Sequence, residues 1–152
     1  MVRILDTYNK LSLKDIDIFQ SQYNIELTNN YITFLLRWNG GTPSPEMFII
    51  SDEEGPTVMN YFYSIGDTQY NLEDHLDIYE FRLPNSFIPI GDDPGGNAIL
   101  LGTRGPYYDH IYFWDHEQEP GYPDMSNMYF LANDIWEFLD HLYENEIGDN
   151  EE

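Results

Sequence analysis

The chain has 152 residues, the length of one domain (1–152), and its 28 Asp and Glu against 6 Lys and Arg give a formal net charge of −22. This charge disfavours nucleic acid and anionic membranes as direct partners, because both require positive charge from a protein, and it favours a protein partner with a basic surface. The absence of cysteine excludes disulfides and thiolate chemistry and, together with a first ten residues that lack the apolar stretch of a signal peptide, predicts a cytoplasmic protein.

Two helices are predicted in the N-terminal third of the chain. Ser12 can cap the first helix, with Asp15 completing a short capping box, and Thr28 can cap the second. The second helix is predicted to end at residues 39–41, Asn-Gly-Gly, because glycine accepts the left-handed backbone found at helix C-termini. Its buried stripe is predicted to consist of Tyr31, Phe34, Leu35 and Trp38.

In the middle of the chain the apolar residues follow the two-residue period of strands. Residues 46–50 and 57–65 are predicted as two strands joined by an acidic turn over residues 51–56. A short helix capped by Asn71 is predicted to run to about Phe81. The second strand is predicted to carry one apolar face by strict alternation, formed by Met59, Tyr61, Tyr63 and Ile65.

Further strands and a last helix are predicted in the C-terminal half. The strands are residues 87–90, 98–101, 110–114 and 128–132, with a glycine-rich turn over 91–97 between the first two. Pro89 lacks a backbone N–H and is therefore predicted at a sheet edge or at the strand's end. Asn133 is predicted to cap the last helix, and an acidic tail is predicted from about residue 144. This order predicts an α+β fold, in which the N-terminal helix pair and the C-terminal helix pack on an antiparallel or mixed sheet of about five to six strands.

Four blocks of the sequence resemble the SMI1/KNR4 (SUKH) superfamily and follow that family's order. They are residues 25–41, which end in Asn-Gly-Gly; residues 87–97, a strand and an acidic glycine turn; residues 111–117, which contain Trp-Asp-His; and residues 134–139. The resemblance implies a SUKH-like fold and, as in the family's bacterial members, a non-enzymatic immunity protein that neutralises a polymorphic or contact-dependent toxin by occluding it. Fungal members are scaffolds in cell-wall signalling, so a regulatory or scaffold module that binds another protein is the alternative.

The hypothesis of a basic partner assigns the contact surface to acidic residues from three separate segments. Because those segments are distant in sequence, the hypothesis requires the fold to gather them on one surface. The predicted partner-binding residues are Asp52, Glu53, Glu54, Asp92, Asp93, Asp115, Glu117 and Glu119.

A metal-dependent hydrolase is a third interpretation, since Asp92, Asp93 and Asn97 offer hard oxygen ligands and His116 follows the next strand. The turn lacks the spacing of an EF-hand loop, and Asn97 stands where the family commonly has Asp, which weakens a fixed metal role. Glycines serve a tight hairpin equally well, and Asp115 is predicted to bond backbone groups at the end of its strand. No catalytic residue, metal ligand or cofactor is therefore predicted. Trp38 and Trp136 are predicted as core residues, and His75 and His141 as ordinary surface or boundary residues.

Overall fold

The computed structural model describes residues 2–145, so residues 146–152 of the predicted acidic tail lie outside the described residues. Within the described part the helices are α1 (Leu13–Tyr23), α2 (Asn29–Arg37), α3 (Leu72–Ile78) and α4 (Ile135–His141). The strands are β1 (Arg3–Leu5), β2 (Thr42–Ser44), β3 (Met47–Ser51), β4 (Gly55–Val58), β5 (Tyr61–Phe62), β6 (Phe87–Asp92), β7 (Ala98–Gly102), β8 (Ile111–Trp114) and β9 (Met128–Ala132). The predicted α+β fold is confirmed.

The N-terminal helices begin where the capping residues predict. Ser12 Oγ accepts from the Asp15 backbone N–H at 3.2 Å, and the Asp15 carboxylate accepts from the Ser12 backbone N–H at 2.8 Å, which completes the capping box. Thr28 Oγ1 accepts from the Tyr31 N–H at 3.3 Å. Glycine is required after α2, because Gly41 has a φ of 124° and a side chain there would collide with the Leu5 carbonyl of β1.

The main sheet is antiparallel, with strand order β5-β6-β7-β8-β9. Both of its faces are covered, so the central strand β7 is buried along its whole length. Alternate residues of β7 enter two cores. Ile99 and Leu101 pack with residues of the helices, whereas Ala98 and Leu100 join a smaller core on the other face. A strand covered on both faces is apolar throughout, and this is why it shows no alternation in the sequence.

The predicted strand over residues 57–65 is wrong in one respect, because the chain divides there between two sheets. Its first part is β4, which pairs with β3 as a separate hairpin, and its second part is β5, which pairs with β6 at the edge of the main sheet. Phe62 and Ser64 are buried as fully as Met59 and Tyr63. Strict alternation therefore fails, because side chains on both sides of the backbone are covered after the crossing.

Three helix boundaries differ from the predictions. Helix α2 ends at Arg37, before the predicted residues 39–41, and its C-cap Trp38 is extended, with a φ of −138°. Helix α3 is capped by Asn71 as predicted but ends at Ile78, three residues before Phe81, which takes a left-handed φ of 68°. Helix α4 is capped by Asp134, one residue after the predicted Asn133. Asn133 instead donates its backbone N–H to the Glu137 carboxylate at 2.8 Å.

The prediction for Pro89 is confirmed. Strand β5 pairs only with the last two residues of β6, so the side of β6 that faces β5 has no strand partner at the proline.

The short strands β1 and β2 were absent from the sequence prediction. They pair only with each other, over three residues each, and β2 contains Pro43. Strands of this length carry too few residues for a period to be read from the sequence. No helix in residues 2–145 is long and apolar enough to cross a membrane.

Candidate functional site

The topology of the main sheet brings the three predicted acidic segments to one end. Neighbouring strands of an antiparallel sheet run in opposite directions, so the last residues of one strand lie beside the first residues of the next. The pairing of Ala98 with Trp114 and of Trp114 with Met128 therefore brings together the end of β6, the start of β7, the end of β8 and the start of β9. The β6–β7 turn and the segment after β8 therefore lie side by side. The β3–β4 hairpin joins them through Thr57, whose hydroxyl donates to the Asp93 carboxylate at 2.9 Å. We call this region the acidic end, formed by residues 52–54, 92–97 and 115–119.

Asp93 organises the β6–β7 turn from within. Its side chain is buried, with 5% of the residue exposed. Besides the bond from Thr57, the carboxylate accepts the backbone N–H groups of Gly95 at 3.0 Å and Asn97 at 2.9 Å, and the Asn97 amide at 3.2 Å. A carboxylate that accepts several N–H groups of one turn fixes the backbone of that turn. The glycine-rich sequence is thus explained by a hairpin closed around an aspartate.

Asn97 connects the β6–β7 turn to the segment after β8. Its side-chain oxygen accepts the backbone N–H of His116 at 3.0 Å while its amide donates to Asp93. The imidazole Nε2 of His116 in turn donates to the Gly95 carbonyl at 2.9 Å. The side chain of an aspartate at position 97 would have no N–H to donate to Asp93, so the amide side chain suits this position as a bridge between two loops.

Asp115 is a second structural carboxylate, which confirms the prediction that it bonds backbone groups at the end of its strand. It caps the short 3₁₀ helix His116–Gln118 by accepting the Glu117 N–H at 3.0 Å. Asn127, the residue directly before β9, holds the same residue by donating its amide to the Asp115 carbonyl at 2.9 Å. Asp115 is buried, with 8% of the residue exposed. The assignment of Asp93 and Asp115 to an exposed contact surface is therefore corrected, because the fold uses both carboxylates internally.

Asp92 occupies an intermediate environment beside Asp93. Its carboxylate accepts the Tyr63 hydroxyl at 2.8 Å and the Asn60 amide at 3.2 Å. Burial raises the pKa of Asp92, and these two hydrogen bonds oppose the rise. The ring of His75 stacks on Tyr63 with 3.7 Å between centroids, so this histidine supports the network from α3. Asp92 thus belongs partly to the interior and partly to the surface.

The remaining predicted acids are exposed. Partial burial and the charges of Glu54 and Asp115 raise the pKa of the Tyr129 hydroxyl, so the hairpin tip and the end of β8 both lie close enough to act on this residue of β9. The hydroxyl itself donates to Gln118 at 3.1 Å. The exposed acids are Asp52, Glu53, Glu54, Glu117 and Glu119. Their binding of a partner stays a prediction.

One cation, Arg82, lies at the border of the acidic end, and sequence reasoning missed it. Its guanidinium forms two bonds to the Glu119 carboxylate, at 3.0 and 3.1 Å, the one ion pair in residues 2–145. It also lies over the rings of Tyr79 and Trp114, at 5.0 and 5.1 Å from their centroids. Because 37 residues separate Arg82 from Glu119, no local sequence pattern marks the pair.

The three tryptophans differ in burial. Trp114 is fully buried, while Trp38 and Trp136, which were predicted as core residues, are half-buried at the margin of the larger core, with ring centroids 6.3 Å apart.

The described residues do not form a metal site. Within residues 2–145 no group of three or more His, Cys, Asp and Glu side chains is arranged to hold a metal ion. The oxygens of Asp93 that a metal would need are those that close the turn.

No curated protein matches this chain. The model of the SMI1/KNR4 family (SUKH-1) matches residues 10–141, a range that contains all four blocks noted in the sequence. The resemblance is thus confirmed, and the chain belongs to the SMI1/KNR4 (SUKH-1) family.

Proposed function

We propose that this protein is a non-enzymatic binding domain whose acidic end receives the basic surface of a protein partner, and that the partner is a toxin domain which the protein neutralises by occlusion. The observation that carries the proposal is the convergence of three acid-bearing segments at one end of the main sheet. The family supports a non-enzymatic role, because SMI1/KNR4 proteins are generally non-catalytic. In this proposal the acids cover lysine and arginine side chains that the toxin needs for its own substrate.

The buried and exposed acids have different tasks in this mechanism. Asp93 and Asp115 hold two loops in fixed conformations, and the exposed acids stand on those loops and on the neighbouring hairpin. Preorganised charges lose little conformational entropy on binding, so the partner meets a surface that is already in place. Exposed acids raise the association rate and select for basic partners, whereas packing in the contact determines how slowly the complex dissociates.

A pair of charge-reversed variants tests the proposal. Glu53→Lys with Glu54→Lys alters the acidic end, and Asp17→Lys with Asp67→Lys alters two exposed acids outside its three segments. Each pair replaces two negative charges by two positive ones, so each changes the net charge from −22 to −18. The partner is first isolated by affinity capture from the source cells and identified by mass spectrometry, and association rates are then measured at low and high salt.

We expect the first pair to slow association at low salt by about tenfold and to reduce its dependence on salt, since local charges dominate electrostatic steering. The second pair changes the rate less. Co-expression with the captured toxin should show the same order in cell survival. Equal effects of the two pairs on the association rate would mean that net charge alone, and not the acidic end, guides the partner.

A further inference from the structure

We infer that a cleft beside strand β6 is a second contact of the same interface, and that it takes a segment of the partner in which apolar side chains alternate with lysine or arginine. This inference rests on the proposed function and names where the partner's apolar anchor binds. The cleft has a volume of about 710 Å³. That volume suits a few side chains of a peptide segment.

The cleft exists because the main sheet is incomplete along one edge. Strand β5 pairs only with Gly91 and Asp92 of β6, so Ile88 and Pro89 border the cleft instead of a neighbouring strand. The cleft is also lined by residues 23–26, at the end of α1 and directly after it, and by the end of α3 and the loop that follows it. Ile88 and Pro89 are themselves buried, so an incoming segment meets the half-buried side chains of Ile25, Leu76 and Tyr79 and the exposed ring of Phe81.

Phe81 stands at the rim of this cleft, in the turn after α3 that the Arg82 N–H closes by donating to the Tyr79 carbonyl at 3.0 Å. It is 86% exposed, the largest exposed fraction of any large apolar residue in the described chain. Its φ of 68° lies in the left-handed region that bulky residues avoid. The strain is not offset by burial, since the ring makes little contact with the molecule. An exposed aromatic residue held in a strained conformation beside a cleft points to a contact made with another molecule.

The charges around the cleft define the partner's chemistry. The lining contains three negatively charged residues, Glu26, Asp77 and Glu80, and one positively charged residue, Arg104. Arg104 already donates to the Asn85 carbonyl at 3.1 Å. The excess of negative charge favours lysine or arginine beside the apolar anchors of the bound segment and disfavours a second copy of this acidic chain.

The cleft also adjoins the acidic end. Tyr79 lines the cleft, and the guanidinium of Arg82 lies over its ring while pairing with Glu119 of the acidic end. One partner surface can therefore cover both regions. Basic residues would meet the exposed acids, and an apolar segment would enter beside β6.

A nuclear magnetic resonance titration tests this inference with two defined peptides. The probe is a synthetic peptide that carries leucine and tryptophan among lysines, and its match carries glutamate in place of every lysine. The protein variants are Phe81→Asn, since asparagine accepts the left-handed backbone, and Leu13→Asn, which removes another exposed apolar side chain (63% exposed) at the far end of α1. Spectra of both variants are compared with that of the wild type before titration to confirm the fold.

We expect the basic peptide to shift the amide signals of Leu76, Phe81, Leu83 and Ile88, and the acidic peptide to shift none of them. Phe81→Asn should weaken binding at least tenfold, and Leu13→Asn should leave it unchanged. Shifts confined to the exposed acids, or equal affinity of wild type and Phe81→Asn, would overturn the cleft contact. Self-association that depends on Phe81, measured by analytical ultracentrifugation, would also overturn it by making a second copy the occupant.

The captured partner separates this inference from the proposed function. If Phe81→Asn binds the partner normally while the Glu53 and Glu54 reversal slows association, the cleft contact is wrong and the role of the acidic end stands. If Phe81→Asn weakens partner binding while the reversal has no effect, the cleft contact stands and the acidic end is not the guiding surface.

Discussion

The acidic end and the cleft beside β6 adjoin each other at Arg82, yet one exposes charged side chains to a partner and the other exposes an apolar one. The acidic end exposes charge on loops that buried carboxylates hold in place, and its side chains act over distances of several ångströms. The cleft exposes the aromatic ring of Phe81 at its rim, which acts only in contact. The comparison separates guidance, which needs exposed charge, from affinity, which needs apolar contact with a fitted surface.

The largest expected effect comes from the buried half of the acidic end. Asp93→Ala removes a buried acceptor of four hydrogen bonds and leaves partly buried N–H groups of the turn without this partner, so it should lower the free energy of unfolding by about 2 kcal/mol. Glu53→Ala, at the exposed hairpin tip, should change it by less than about 0.5 kcal/mol. Urea unfolding of the two variants measures this contrast between structural and exposed acids.

The comparison breaks if the two alanine variants are equally stable. Such a result would mean that water replaces the Asp93 carboxylate without loss, and that the loops of the acidic end are not preorganised. Asp115→Ala tests the other buried carboxylate. It removes the cap of the 3₁₀ helix and should lower the free energy of unfolding by about 1 kcal/mol.

A smaller effect, of opposite sign, is expected at the cleft. Phe81→Asn should raise the free energy of unfolding by about 1 kcal/mol, because asparagine tolerates the left-handed backbone that phenylalanine resists. Little burial is lost, since the ring is 86% exposed. A residue whose replacement stabilises the protein and weakens binding is retained for binding. A clear loss of stability in thermal or urea unfolding would show instead that Phe81 packs within the molecule.

The sequence predicted those parts of the fold that depend on local chemistry. The caps at Ser12, Thr28 and Asn71 are confirmed because a capping side chain bonds backbone groups within three residues of itself. The predictions of strands β6 to β9 are confirmed because their apolar runs end at clear turn residues. The division of residues 57–65 between two sheets escaped prediction, since both parts are apolar and only the pairing partners distinguish them.

The sequence identified the acidic residues of the candidate site, but it did not show which of them are buried and which are exposed. Asp93 and Glu53 look alike in a sequence, and only the fold shows that one is enclosed by N–H donors and the other is solvated. The role of Asp115 was predictable because it follows a strand directly, where backbone groups need partners. Arg82 and the cleft were not predictable, because both depend on contacts between distant segments.

The smallest expected effect lies at the junction of the two regions, at Asp92. Because burial raises the pKa of this carboxyl above its ordinary value of 3.8, the folded state holds the proton more tightly than the unfolded state does. The resulting stabilisation is fully present below pH 3.8 and is lost as the pH rises through the raised pKa. Asp92→Asn does not titrate, so its stability relative to the wild type should increase over that interval, by less than about 1 kcal/mol because Asp92 is only partly buried. Urea unfolding of Asp92→Asn and of the wild type between pH 3.5 and 7 measures the difference. A difference for Asp92→Asn that does not change with pH would show that the carboxyl is solvated, and would assign Asp92 to the exposed charge of the acidic end.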